Sequence, residues 1–179
     1  MGRAAVVTWM AVALLAASCG GDDGGRLSGT LPQPPARLHL SSPAFIQNSR
    51  LPERYTCDGA GDEPVVRAGT TPPSTKELVL IVSDPDAPGG TYVHVTRYGL
   101  SPRGDGAVDH GGTEGRNSKG QTGWTPPCPP KGDKPHRYVW SVYALREPSG
   151  LDAGADPADV VKAVDGAVAA GTLTAQYGR

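Results

Sequence analysis

Residues 77–90 read ELVLIVSDPDAPGG, and the junction inside this stretch decides how the chain folds. Leu78 to Val82 is an unbroken apolar run, too short for a helix and rich in branched side chains, which fits a strand buried on both faces. It ends abruptly at Asp84-Pro85-Asp86-Ala87-Pro88, where Asp-Pro steps favour a turn and two carboxylates stand just past the strand. The next segment, TYVHVTRYGL at 91–100, alternates. Tyr92, His94, Thr96 and Tyr98 are expected on one face, Val93 and Val95 on the other. HRYVWSVYAL at 136–145 alternates too, placing His136, Tyr138 and Trp140 together. If these strands are neighbours, Asp84, Asp86, His94 and His136 converge at one rim suited to a small anion.

Working outward, residues 101–135 hold turn-formers and almost no core, so a long irregular loop is expected, of the kind that usually carries function. Within it Arg116 and Asn117 read as braces. The run WTPPCPP at 124–130 sets four prolines around Cys128, a wall whose backbone is fixed before any ligand arrives. RLHLSSPAF at 37–45 alternates like a strand. DPADVVKAVDGAVAAG at 156–171 places Val160, Val161, Val164 and Val168 at helical spacing, with Asp156 as N-cap, Pro157 at the first position and Gly171 as a stop. TLTAQYGR follows as a last strand. Several strands with long loops and a late helix give a mainly β domain with a C-terminal helix packed on it.

A chain of 179 residues suits one ordinary domain. Its formal net charge of −1 excludes an electrostatic grip on nucleic acid. The N-terminus differs from the rest. Arg3 precedes an apolar stretch, Ala4 to Ala17, too short to span a bilayer but suited to a signal peptide. It ends in LLAASCGG, which resembles a bacterial lipobox with Ala16 where leucine is usual. The expected organisation is a lipoprotein signal peptide at 1–18, a flexible Gly/Pro/acid-rich tether at 19–36 and a ligand-binding domain at 37–179. Cys19 would carry palmitate-type acyl chains and hold the domain to the cell membrane, extracytoplasmic, the membrane being touched only through this anchor. An ordinary secretory signal would instead release a secreted domain. Export leaves Cys57 and Cys128 in an oxidising compartment, either bridged, worth about 3–4 kcal/mol, or as two separate buried thiols.

The blocks SDPDAPGG…YVHV, GRNSKGQTGW, PPCPPKGDKPHRYVWSVYAL, the YTCDG of residues 55–59 and the terminal YGR together resemble the phosphatidylethanolamine-binding protein family, in its bacterial Raf-kinase-inhibitor-like branch. The resemblance implies a mainly β fold with peripheral helices, an antiparallel Greek-key large sheet packed on a smaller one. It also implies a cavity for phosphate, acetate or a phosphoryl head group, using Asp84, Asp86, Pro88, Tyr92, His94, Cys128, Pro129, His136 and Tyr138. Tyr92 stands where many relatives carry tryptophan. The partner implied is a small anionic or phosphorylated ligand held without cofactor or metal, and the protein is not expected to be an enzyme. Neither zinc-ligand spacing nor a Gly-x-Ser-x-Gly elbow nor a Walker loop occurs to support a hydrolase. A second reading is an interaction protein, since relatives are described as inhibitors of kinases or proteases and residues 101–125 could protrude toward a protease. If protonated imidazoles hold the anion, affinity should fall as pH rises past about 6.5.

Overall fold

The computed structural model of the protein describes residues 25–102, 106–108 and 110–179, together with Met1. Residues 2–18 of the expected signal peptide and Cys19 lie outside the described residues. In chain order the strands are β1 (Ala36–Arg37), β2 (Leu40–Ser41), β3 (Ser49–Arg50), β4 (Arg67–Ala68), β5 (Glu77–Asp84), β6 (Tyr92–Leu100), β7 (Thr113–Glu114) and β8 (His136–Leu145), then helix α1 (Pro157–Ala163) and strand β9 (Ala169–Tyr177). The large sheet runs β1-β9-β8-β5-β6-β7, with β3 also paired to β9, and β2 pairs β4 in a small sheet. The centre is antiparallel as expected, but β1 and β3 run parallel to β9, so the large sheet is mixed.

β5 is buried at every position, which is why its sequence shows no polar alternation. Leu78, Leu80 and Val82 enter a first core; Val79 and Ile81 enter a second on the opposite face. The first is closed by the small sheet through Leu40 and Ala68, with Phe45 tilted against Trp140 at 4.7 Å. The second is closed by Val160 and Val164, with Leu27, Leu31 and Leu151 packed at its edge. Each fully buried branched side chain contributes about 1.5–3 kcal/mol, so trimming Leu80 to alanine should cost about 2–5 kcal/mol once the cavity is included. Glu77 is buried with no ion pair among the described residues; its carboxylate accepts the Gly99 and Ser149 amides at 2.9 and 2.7 Å.

Several local expectations change. The strand-like 37–45 segment divides between the two sheets as β1 and β2, although Leu38 and Leu40 are buried and His39 exposed, as alternation requires. The helix ends at Ala163, a 3-10 turn follows at Val164–Gly166, and Gly171 lies inside β9 rather than stopping a helix. Glycine is needed there because a Cβ would collide with the Leu38 carbonyl oxygen. Of the expected tether, the part from Gly25 lies against the domain, with Leu27 bridged to Thr91. Leu27 and Leu31 gain more by covering the second core than by remaining solvated.

The largest departure is a β-bulge in β6. Val95 pairs with Val82, but Val93 pairs with Ser83, leaving His94 as the extra residue. Val93 and Val95, expected to share a face, therefore enter opposite cores, and Tyr98 joins Val93 in the second. Arg97, two residues beyond Val95 in a regular run of the ladder and opposite Leu80, lies on the first-core side. There its guanidinium, 5 % exposed, donates to both Glu63 oxygens at 2.8 and 3.0 Å and to Glu114 at 2.6 Å.

Candidate functional site

Four segments frame a cavity of about 330 Å³ at one end of the first core. The first is the Asp84–Pro88 turn. Asp84 Oδ1 accepts the Asp86 amide at 2.9 Å, an Asx-type turn that ends β5 and leaves Oδ2 aimed across the sheet. That oxygen accepts the His136 Nδ1–H at 2.7 Å. Burial pushes the Asp84 carboxyl above the usual carboxylate range, and the imidazole bond opposes that shift.

The second segment is the bulge. The His94 Nδ1 lies 2.7 Å from the Thr125 carbonyl, which can only accept, so Nδ1 carries the hydrogen. The Nε2 lone pair is buried and has no partner among the described residues. Tyr92, Tyr138 and Trp124 surround the ring with centroids at 4.8, 5.3 and 6.0 Å. Loss of hydration lowers the His94 pKa to about 4, and Lys119 pushes the same way while the Thr125 carbonyl resists. His94 is therefore neutral at pH 7. It cannot be the imidazolium whose deprotonation would release an anion above pH 6.5; in this tautomer it accepts.

The third segment is the proline wall. Pro126, Cys128, Pro129 and Pro130 line the cavity. Their loop is fastened at both ends. The Thr125 amide donates to the His94 carbonyl at 2.9 Å, the Cys57 amide donates to the Pro127 carbonyl at 3.0 Å, and Trp124 Nε1 donates to the Gly61 carbonyl at 3.0 Å. Cys57 and Cys128 form a disulfide with Cα atoms 5.3 Å apart, so Cys128 reaches the cavity as a half-cystine and not as a nucleophilic thiol. The terminal Tyr177 and Arg179 clamp Asp58 beside this bridge, at 2.6 Å for the tyrosine hydroxyl and 2.8 Å for the guanidinium. Asn117 braces the adjoining loop, as expected, donating to the Gly123 carbonyl and the Thr125 hydroxyl, both at 3.0 Å.

The fourth is the start of β8, where His136 and Tyr138 face the cavity and the Tyr138 hydroxyl is buried without a partner among the described residues. Burial, reinforced by Asp84 and Asp86, pushes the Tyr138 pKa far up, so it stays a neutral hydroxyl.

Asp84, Pro88, Tyr92, His94, Cys128, Pro129, His136 and Tyr138 thus all line the same cavity, and Asp86 does not. Its carboxylate turns outward to Arg137, accepting Nε at 2.8 Å, Nη2 at 2.6 Å and the backbone amide at 2.8 Å. That fork holds Asp86 below the usual carboxylate range and fixes the first residues of β8. Asp86 positions His136 through the chain. Arg26, Lys119 and Thr125 line the cavity without having been singled out. They lie on irregular segments, where no periodicity marks which side chains turn inward. Among the described residues, no group of three His, Cys, Asp or Glu side chains is placed to hold a metal ion.

The family model described as phosphatidylethanolamine-binding protein matches residues 41–178. The chain belongs to that family. It is 35 % identical over 140 residues to the UPF0098 protein of Methanothermobacter thermautotrophicus, covering 73 % of this chain and 91 % of the relative. It is 36 % identical over 140 residues to a Mycobacterium tuberculosis protein given the lipoprotein name LppC, covering 75 % and 69 %. A crystal structure of a phosphatidylethanolamine-binding protein homolog from Chlamydia trachomatis superposes with a TM-score of 0.73 at 33 % identity, over 80 % of this chain and 98 % of the other. Escherichia coli YbcL, described as a member of the mammalian family, superposes at 0.72 with 27 % identity, over 80 % and 99 %.

Proposed function

We propose that the cavity binds a small oxyanion that still carries a proton, such as hydrogen phosphate or a phosphomonoester head group, without covalent chemistry. The unpartnered Nε2 lone pair of His94, buried beside the equally unpartnered Tyr138 hydroxyl, supports this reading above all else. A buried acceptor left unpaired costs about 1–3 kcal/mol, and a P–OH group supplies the missing donor. The same ligand's other oxygens accept from Tyr138 Oη, beside the His136 ring. Asp84 holds that ring in place from Nδ1. A stapled wall and a buried histidine need no rearrangement on binding, which favours a binding site over a mobile one.

In this reading the protein is a non-enzymatic binding domain, held on the outer face of the cell membrane by acyl chains on Cys19. The relative named LppC supports the lipid anchor. Isothermal titration with inorganic phosphate, phosphoethanolamine and dimethyl phosphate tests the pocket. The first two should bind, and the diester, which has no P–OH, should bind at least about tenfold more weakly for want of one buried hydrogen bond. Equal binding of all three, or unchanged phosphate affinity in His136→Ala, refutes the assignment.

A further inference from the structure

We infer that Arg26 is a ligand-binding residue of this cavity, delivered by a short strap, Gly25–Leu27, that crosses one side of its mouth. The inference rests on the oxyanion reading above.

The strap lies upstream of the segment that matches the family model, yet it is built into the site. The Leu27 amide donates to the Thr91 carbonyl at 3.0 Å, and the two residues form an antiparallel bridge. The Ser118 hydroxyl donates to the Gly25 carbonyl at 3.0 Å and accepts the Val93 amide at 2.8 Å. Leu27 packs onto the second core. Both anchor points belong to segments that frame the cavity: Thr91 precedes Tyr92, and Ser118 adjoins Asn117, the brace of the loop. Gly90 permits the approach, because its φ of 116° lies in the region that favours glycine.

Between these anchors Arg26 faces the cavity. Its guanidinium lies 5.3 Å from the Tyr92 ring centroid and donates through Nη1 to the Gly90 carbonyl at 3.1 Å. A guanidinium has five N–H donors in a planar fork, so one carbonyl and one ring face leave donors over. No carboxylate of the described residues pairs with it, whereas Arg137 is taken by Asp86 and Arg179 by Asp58. Of the residues lining the cavity, Arg26 and Lys119 carry positive charge. Lys119 offers an exposed point charge; Arg26 offers the forked geometry that matches two oxygens of a phosphoryl group. The acidic group of the cavity, Asp84, is already engaged by His136. Arg26 therefore supplies the cationic counterpart that a neutral His94 cannot.

The strap also ties the site to the anchor. Arg26 is seven residues beyond Cys19 (26 − 19), a span of at most about 25 Å of extended chain. With acyl chains on Cys19, the cavity mouth stays near the lipid surface.

The test uses the full chain and inorganic phosphate. Calorimetry should show Arg26→Ala weakening phosphate binding about tenfold or more, the loss of one charge-assisted contact, with Arg26→Lys between it and the unaltered protein. Leu27→Pro, which removes the bridging amide, should lose as much as Arg26→Ala, with both variants retaining a cooperative thermal transition. In the unaltered protein, saturating phosphate should slow tryptic cleavage after Arg26. If Arg26→Ala binds phosphate as tightly as the unaltered protein, or if bound phosphate leaves that cleavage rate unchanged, the strap inference fails while the cavity assignment stands. If the unaltered protein binds no phosphate, both fail.

Discussion

Acidification should destabilise this domain through His94, and the size of the effect can be worked from its surroundings. The ring is 3 % exposed, enclosed by Tyr92, Trp124 and Tyr138, and its pKa is lowered to about 4. In the unfolded chain a histidine titrates near 6.5. The folded pKa lies below the unfolded one, so between these values the unfolded chain binds the additional proton. Stability is complete above about pH 6.5, is lost as pH falls through the window, and levels off below about pH 4. The loss is about 2 kcal/mol at pH 5 and about 3 kcal/mol below pH 4. Asp84, whose carboxyl is pushed up by burial, contributes with the opposite sign, since the folded state takes up its proton first. A His94→Phe variant isolates the histidine. It loses the bond to Thr125 and starts less stable, but it keeps the packing and leaves Asp84 in both proteins. Urea unfolding at pH 7, 6, 5 and 4 in phosphate-free buffer should show the unaltered protein losing about 2 kcal/mol more than the variant between pH 7 and pH 5. Parallel stability curves would mean that His94 is solvated or already charged. Its lone pair would then not be waiting for a ligand.

Three further outcomes follow from the same geometry. The Cys57–Cys128 bridge spans 71 residues, so reduction or the double serine variant should lower unfolding free energy by about 4 kcal/mol in denaturant titrations, and denatured unreduced protein should yield no free thiol from this pair. Arg97→Ala removes the buried guanidinium from which Glu63 and Glu114 both accept and should cost about 3–5 kcal/mol, whereas Arg97→Met with Glu63→Gln should recover part of the loss in thermal unfolding. Asp84→Asn should weaken phosphate binding more than Asp86→Asn does, because Asp84 touches the His136 ring and Asp86 acts through the backbone; calorimetry giving the reverse order would reassign the two carboxylates.

What could be read from the residues was whatever repeats or stops. β5 is visible because five apolar side chains in a row can be covered only by two cores, and its end is visible because Asp-Pro-Asp-Ala-Pro cannot continue a ladder. The proline wall is visible because proline declares its own backbone. What stayed hidden was orientation in irregular chain. Asp84 and Asp86 look equivalent in sequence, yet Asp84 keeps the inward parity of Leu80 and Val82, while the turn it caps sends Asp86 to Arg137. Arg26 sits in a stretch whose glycines and acids suggest a tether, and its docking depends on Leu27 and Leu31 alone, two positions too few to establish a period. The ion cluster of Arg97 joins residues 34 and 17 positions apart, a relation that no local pattern records.

The bulge at His94 explains why alternation placed the site correctly for a reason that does not hold along the whole strand. With Val95 opposite Val82, a regular ladder would set His94 opposite Ser83, on the second-core face, and bring Val93 beside Asp84. The histidine would then point away from the cavity and an apolar side chain would take its place against the carboxylate. One inserted residue reverses both assignments. Val93 moves to Ser83 and enters the second core, Tyr92 comes to stand opposite Asp84, and the His94 ring lines the cavity between Tyr92 and Tyr138. Val95 needs one parity to fill the first core, and Tyr92 needs the other to face the same side. An unbroken strand cannot satisfy both, so the irregularity in β6 is the condition under which a packed sheet and a polar cavity share one face.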